Sequence, residues 1–184
     1  MVNTIENKNE ELILYVASKL KDCPNFGSVM LNKALFYSDG LFYLKYGNAI
    51  SSFKYVRQGQ GPTPAPNQFM PLRTKMIDEG KVRMEEIPSI FGTTQKKLMP
   101  LQLPKKGVFN ANELAVIDGV IKDCRKHTAR ELSDFSHKEI GWQLAEHMEE
   151  IPLFTILLTK AELDDEDYIW ANDEIERLRP VPHN

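Results

Sequence analysis

The chain has 184 residues, of which 42% are hydrophobic, with 23 Lys and Arg set against 26 Asp and Glu for a net charge of −3. That length holds one domain with a small appendage, and the apolar share is enough for a buried core. The slightly acidic balance provides no general attraction for nucleic acid or anionic lipid, and no stretch offers the roughly 20 apolar residues needed to span a bilayer.

Cys23 and Cys124 lie far apart without a CxxC pattern, and the polar N-terminus has no signal-peptide pattern. Both features fit a soluble, cytoplasmic protein with reduced thiols. Asn7 and Glu10 have the spacing of a helix start. Leu12, Ile13, Tyr15, Val16 and Leu20 then form a helical stripe that must stop before Pro24. Residues 1–6 are left as a tail.

Residues 28–46 form the most hydrophobic helix candidate, apolar on most faces and therefore expected inside the domain. Gly40 in its middle predicts a close contact, and Gly47 a left-handed stop. Residues 51–57 have strand character. The run Gln58-Gly-Gln-Gly-Pro-Thr-Pro-Ala-Pro66 predicts irregular structure because of its glycines and prolines. A helix over 67–79, capped by Asn67 and stopped by Gly80, precedes two strands, 81–87 and 94–101, joined by a turn from Pro88 to Gly92.

Asn110 and Glu113 start another amphipathic helix. Thr128 with Glu131, and Ser136 with Glu139, have capping-box spacing. They predict a short helix, a tight corner, and a second helix from His137 to about Met148. Residues 151–158 read as an apolar strand or buried segment. A third box at Thr159 and Glu162 opens an acidic helix from Asp164 to Arg179. The fold class expected is mainly α (α+β): one helical domain over 7–158 with a small antiparallel β element, then a C-terminal acidic helical extension over 159–184.

Chemistry candidates are few. His127, His137 and His147 recur every ten residues, which is poor spacing for a shared metal. Ser133 lies four residues before His137 and Ser136 adjoins it, with Asp134 nearby, which allows a small serine hydrolase as a weaker reading, but both serines have ready roles at helix ends and no nucleophile elbow is present. Lys122, Arg125, Lys126, Arg130 and Lys138 form a basic patch. With the hairpin as a wing, they allow a winged-helix DNA-binding reading, opposed by the interleaved Asp123, Glu131, Asp134 and Glu139. Tyr37 and Tyr43 belong to an aromatic stripe whose first role is core and whose hydroxyl rim suits a protein interface. A rigid Gly61–Pro64 loop likewise suits a protein partner.

Three segments carry a resemblance. Leu31-Asn-Lys-Ala-Leu-Phe-Tyr-Ser-Asp-Gly-Leu-Phe-Tyr-Leu-Lys-Tyr-Gly47, the loop Gly61-Pro-Thr-Pro64, and Thr128-Ala-Arg-Glu-Leu-Ser-Asp-Phe-Ser-His137 with Trp142 resemble, in order and spacing, the motifs of the Panacea domain family. These are the SocA-like antitoxins of bacterial and phage toxin–antitoxin pairs. Gln60 stands where that family has an aromatic residue, and Thr63 where it has Val. The resemblance implies a non-enzymatic, mostly helical domain that binds and neutralises a toxin protein encoded by an adjacent gene, with no cofactor and no metal. It assigns Tyr37, Tyr43, Gly61, Pro62, Pro64, Ser133, His137 and Trp142 to partner binding or to the motifs that frame it. A homo-oligomer stays open. The acidic extension lies outside the match, free either to contact a basic toxin or to cap the fold. At the corner, His137 is expected to hydrogen-bond to the Gly61–Pro64 loop or its neighbours, with Trp142 packed beside it.

Overall fold

A computed structural model of the chain describes residues 4–88 and 94–159. Its elements run α1 (Thr4–Leu20), α2 (Ser28–Tyr46), β1 (Tyr55–Gln58), β2 (Gly61–Pro64), α3 (Pro66–Asp78), β3 (Val82–Pro88), β4 (Thr94–Pro100), α4 (Ala111–Cys124), α5 (Ala129–Ser136), α6 (Ile140–Leu144), β5 (Glu150–Ile151), a single 3-10 turn (Leu153–Thr155) and α7 (Ile156–Thr159). The fold is mainly helical with two small antiparallel sheets, as the sequence predicts. No described helix is long and apolar enough to cross a membrane.

α2 is the central helix. Met30, Leu31, Ala34, Leu35, Phe36 and Phe42 are all buried, from more than one of its faces, and each such side chain contributes about 1.5–3 kcal/mol. A helix this apolar all round is enclosed by its neighbours: it packs against α1, α4, α5 and β2. Gly40 makes the close approach anticipated for it, since a Cβ there would overlap the Ile156 side chain of α7. Gly47 ends the helix in the left-handed region at φ 75°. Within the helix, Asp39 is fully buried and accepts from the Ser51 amide at 2.8 Å, from the Ser51 hydroxyl, and from the Tyr55 hydroxyl at 2.6 Å. These bonds pin the start of β1 to the central helix.

α1 covers the other flank. Glu10, buried on it, pairs with Lys75 of α3 at 2.8 Å and with Lys81, just before β3, at 2.5 Å. Burial alone would raise its carboxyl pKa, but the two ammonium groups prevail and hold it below the usual range. One side chain thus ties α3 and the β3–β4 hairpin to the core. That hairpin pairs in register from Val82 opposite Pro100 to Pro88 opposite Thr94. α4 begins with the capping box expected of Asn110 and Glu113.

Several expectations are corrected. α1 begins at Thr4, three residues before the predicted cap at Asn7. α3 is capped by Ala65 and not Asn67, because Pro66 has the φ and the absent N–H that suit the first helical position. The Pro-rich run is not irregular: Gly61–Pro64 is a strand paired with β1. Prolines are tolerated at a sheet edge, and the strand order β2-β1-β5 puts β2 there. Pro62 and Pro64 are two residues apart, so their missing N–H groups fall on the same, outer side of the strand.

The largest correction is at the second capping box. Ser136 ends α5, its hydroxyl donating back to the Ser133 carbonyl at 2.8 Å, and His137 is that helix's C-terminal cap. The helix predicted from His137 to Met148 is only Ile140–Leu144, capped by Glu139 without a side-chain bond. Residues 151–158 divide among β5, a 3-10 turn and α7, with Ile151 and Ile156 buried. Residues 1–3, the hairpin turn after Pro88, Glu162 and the acidic helix from Asp164 lie outside the described residues.

Candidate functional site

The site is the junction of β2 with the α5–α6 corner. It begins with Gly61, whose φ of 98° an L side chain rarely adopts. A Cβ there would overlap the Ser136 hydroxyl and the Lys33 ammonium group. Glycine is therefore required twice over, by conformation and by space. With the glycine in place, α2 and α5 close on the outer edge of β2. Lys33, 1% exposed, donates to the Pro62 carbonyl at 2.9 Å, and Ser133 donates to the Gln60 carbonyl at 3.0 Å. Two carbonyls that an edge strand would otherwise leave unpaired thus receive side-chain donors.

Among the described residues no carboxylate pairs with Lys33, and burial pushes its amine down to about 7. Lys33 is not among the site residues expected from the sequence. The signal was present, because a lysine on a helix that is apolar all round has nowhere to go but inward.

The corner turns on the short link Lys138–Glu139. Thr128 and Glu131 form the predicted capping box at the start of α5. His137 does not bond to the Gly61–Pro64 strand. Its Nε2 lies 3.4 Å from the Ser133 hydroxyl, and it reaches the strand only through that serine. Trp142 does pack beside it, the rings stacked at 4.0 Å and 17°. The indole N–H donates to the Gln58 carbonyl at the end of β1 (3.0 Å). The Arg57 guanidinium lies 4.6 Å from the Trp142 ring centre and donates to the Ala145 carbonyl at 2.9 Å. The backbone of Arg57 is bonded to Met148 and Glu149, which closes the corner against β1 from its other side.

Of the eight expected site residues, six meet here. Gly61, Pro62 and Pro64 are buried, Ser133 is 8% exposed, and His137 and Trp142 are half-buried. Tyr37 is close by, beside Glu139. Burial first, and then the Glu139 charge, pushes its hydroxyl pKa far up. Tyr43 is half-buried on α2, and among the described residues no side-chain hydrogen bond joins it to the corner. Gln58 and Gln60, whose carbonyls receive Trp142 and Ser133, were not singled out as site residues. No local pattern marks a residue whose contribution is its carbonyl.

Chemically the corner clamps. A serine nucleophile must donate its hydrogen to a base, whereas Ser133 donates to Gln60 and the consistent histidine tautomer has its proton on Nε2. Cys124 is buried, which pushes its thiol up to about 12, the opposite of an activated thiolate. Among the described residues no three His, Cys, Asp or Glu converge as metal ligands. The basic patch is a mixed face: Lys126 pairs with Asp123 at 2.6 Å, Arg125 donates to the Lys19 carbonyl, and Lys138 lies over the Phe135 ring. Around the corner Phe135, Leu144 and Met148 are exposed, Leu144 at 78%.

A helical domain built on a central apolar helix, with a proline-bearing edge strand clamped by a serine–histidine–tryptophan corner, is the class that these features define. The model of the antitoxin SocA-like Panacea domain family matches residues 31–143, more than half of the chain, from the first turn of α2 to the residue after Trp142. The chain belongs to that family. No curated protein and no solved structure matches it.

Proposed function

We propose that the chain is an antitoxin-type module that neutralises a protein toxin in the cytoplasm by direct binding, without catalysis, and that residues 7–158 form the binding unit. The observation that carries this reading is the corner's rigidity beside exposed apolar side chains. Backbone carbonyls at Gln58, Gln60 and Pro62 are each held by a side-chain donor from a different helix. Phe135, Leu144 and Met148 are exposed nearby. A surface ordered before binding loses little entropy on binding, and exposed apolar groups beside it supply the area. The buried motif residues Gly61, Pro62, Pro64 and Ser133 hold this surface in shape, while the exposed neighbours and the half-buried His137 and Trp142 meet the partner.

The test is co-expression with the product of the adjacent gene. That product should arrest growth alone, be harmless beside this chain, and co-purify with it. Leu144→Asp should abolish both rescue and co-purification while leaving the fold intact. A neighbour that is harmless alone and does not co-purify overturns the reading.

A further inference from the structure

β2 walls a second feature, a cleft of about 160 Å3 shared with α2, α3 and the β3–β4 hairpin. Leu31, Phe69, Met84 and Leu98 give it apolar sides, and Asn32 and Arg73 reach it as polar groups. Arg73 is unusual among its neighbours. Lys75 and Lys81 are satisfied by Glu10, but the Arg73 Nε is buried with no hydrogen-bond acceptor. Among the described residues no carboxylate pairs with its guanidinium. A buried donor without an acceptor carries a penalty of about 1–3 kcal/mol; the Arg73 side chain is only half-buried, so its other N–H groups are the ones an acceptor entering from outside meets.

The chemistry of that acceptor follows from the walls. A guanidinium presents paired N–H groups in a planar fork that matches a carboxylate. A nucleotide is too large for this volume, and a bare phosphate would leave the apolar sides unfilled. We propose that the cleft binds a carboxylate on a short branched apolar stem, the carboxylate on Arg73 and the stem between Phe69, Met84 and Leu98. A free small acid and the C-terminal Leu of a polypeptide share this chemistry. The site is separate from the corner, so its failure leaves the proposed toxin contact standing.

The experiment is a titration of the full chain followed by 15N–1H and methyl NMR. The Arg73 Nε–H signal is assigned by its loss in Arg73→Gln. Isocaproate is compared at constant ionic strength with isocaproamide and acetate, and acetyl-Ala-Leu with its amide. Isocaproate should shift the Arg73 Nε–H and the Leu98 methyls saturably, with a Kd of about millimolar for so small a ligand. Isocaproamide and acetate should bind at least tenfold more weakly, and Arg73→Gln should lose the response while keeping the wild-type circular dichroism. Tighter binding of acetyl-Ala-Leu than of isocaproate assigns the site to a chain terminus, and weaker binding assigns it to a free acid. Equal shifts with isocaproate and isocaproamide, or no saturable shift at Arg73 and Leu98, overturn the proposal. If Arg73→Gln fails to fold, the acid–amide comparison read at the Leu98 methyls of the unaltered protein still decides the matter.

Discussion

His137 lies flat on Trp142, the ring centres 4.0 Å apart, and the same indole donates to a carbonyl 84 residues away in the chain. One side chain therefore orders the histidine and fastens the corner to β1. Trp142→Ala removes the stack, the bond to Gln58 and the contact with Arg57. It should destabilise the fold by about 2–4 kcal/mol. Trp142→Phe keeps the stack but strands the Gln58 carbonyl, for a loss of about 1 kcal/mol. Urea unfolding of the two variants checks the order.

Gly61→Ala should be more damaging than any other glycine-to-alanine change in a turn. Gly47 and Gly80 also have positive φ, but a Cβ at either meets nothing within 4 Å, so those changes incur only backbone strain of about 1 kcal/mol. At Gly61 the methyl group must also displace Lys33 and Ser136, two buried groups bonded elsewhere. The loss should reach about 2–4 kcal/mol. Equal Tm values for the three variants would refute this.

Lys33 predicts a pH dependence with a definite sign. Its folded pKa is about 7 against an ordinary value of roughly 10.4 for an exposed lysine. Between those values the unfolded chain binds the proton and the folded chain does not, so this group makes the fold more stable as pH rises from about 7 to about 10. The gain should approach about 1.4 kcal/mol per pH unit. Below the folded pKa both states are protonated and the slope disappears. Unfolding free energies of the wild type and Lys33→Met at pH 7, 8 and 9 isolate the effect, because other titrating groups contribute to both proteins. A constant difference across that range would mean that Lys33 is charged when buried.

Thr128→Ala should cost about 1 kcal/mol by uncapping α5. Glu139→Gln should leave the α6 start unchanged, because Glu139 is turned toward Tyr37 and makes no cap bond. Its effect should appear instead in the Tyr37 environment, read by ultraviolet absorbance during a pH titration.

These residues also show where sequence legibility stopped. The stops at Gly47 and Gly80 and the boxes at Asn110 and Thr128 are local, each complete within one turn, so spacing alone predicts them. Ser136 and Glu139 have the same spacing, but tertiary contacts claim them: the serine lies under Gly61 and the glutamate against Tyr37. β2 was illegible for a related reason. A run of Gly and Pro excludes an inner strand but not an edge whose carbonyls are met by Lys33 and Ser133. Arg73 was invisible, because its isolation depends on what does not face it. The three family motifs were readable because their residues keep fixed order and spacing, and the meeting of loop and corner was expected from them; that Ser133 makes the bond to the loop's neighbour Gln60 was not.

The bonds that close the corner span 73 and 84 residues, which sets the order in which it forms. Loops of that length close late in folding, so substitutions at Ser133 or Trp142 should speed unfolding and leave refolding nearly unchanged. During synthesis the β1–β2 hairpin emerges long before its clamp. A nascent chain that has not yet released Trp142 from the ribosome has the central helix and both strands, but no finished corner. A toxin that binds the corner as proposed can be engaged only after translation has passed that residue.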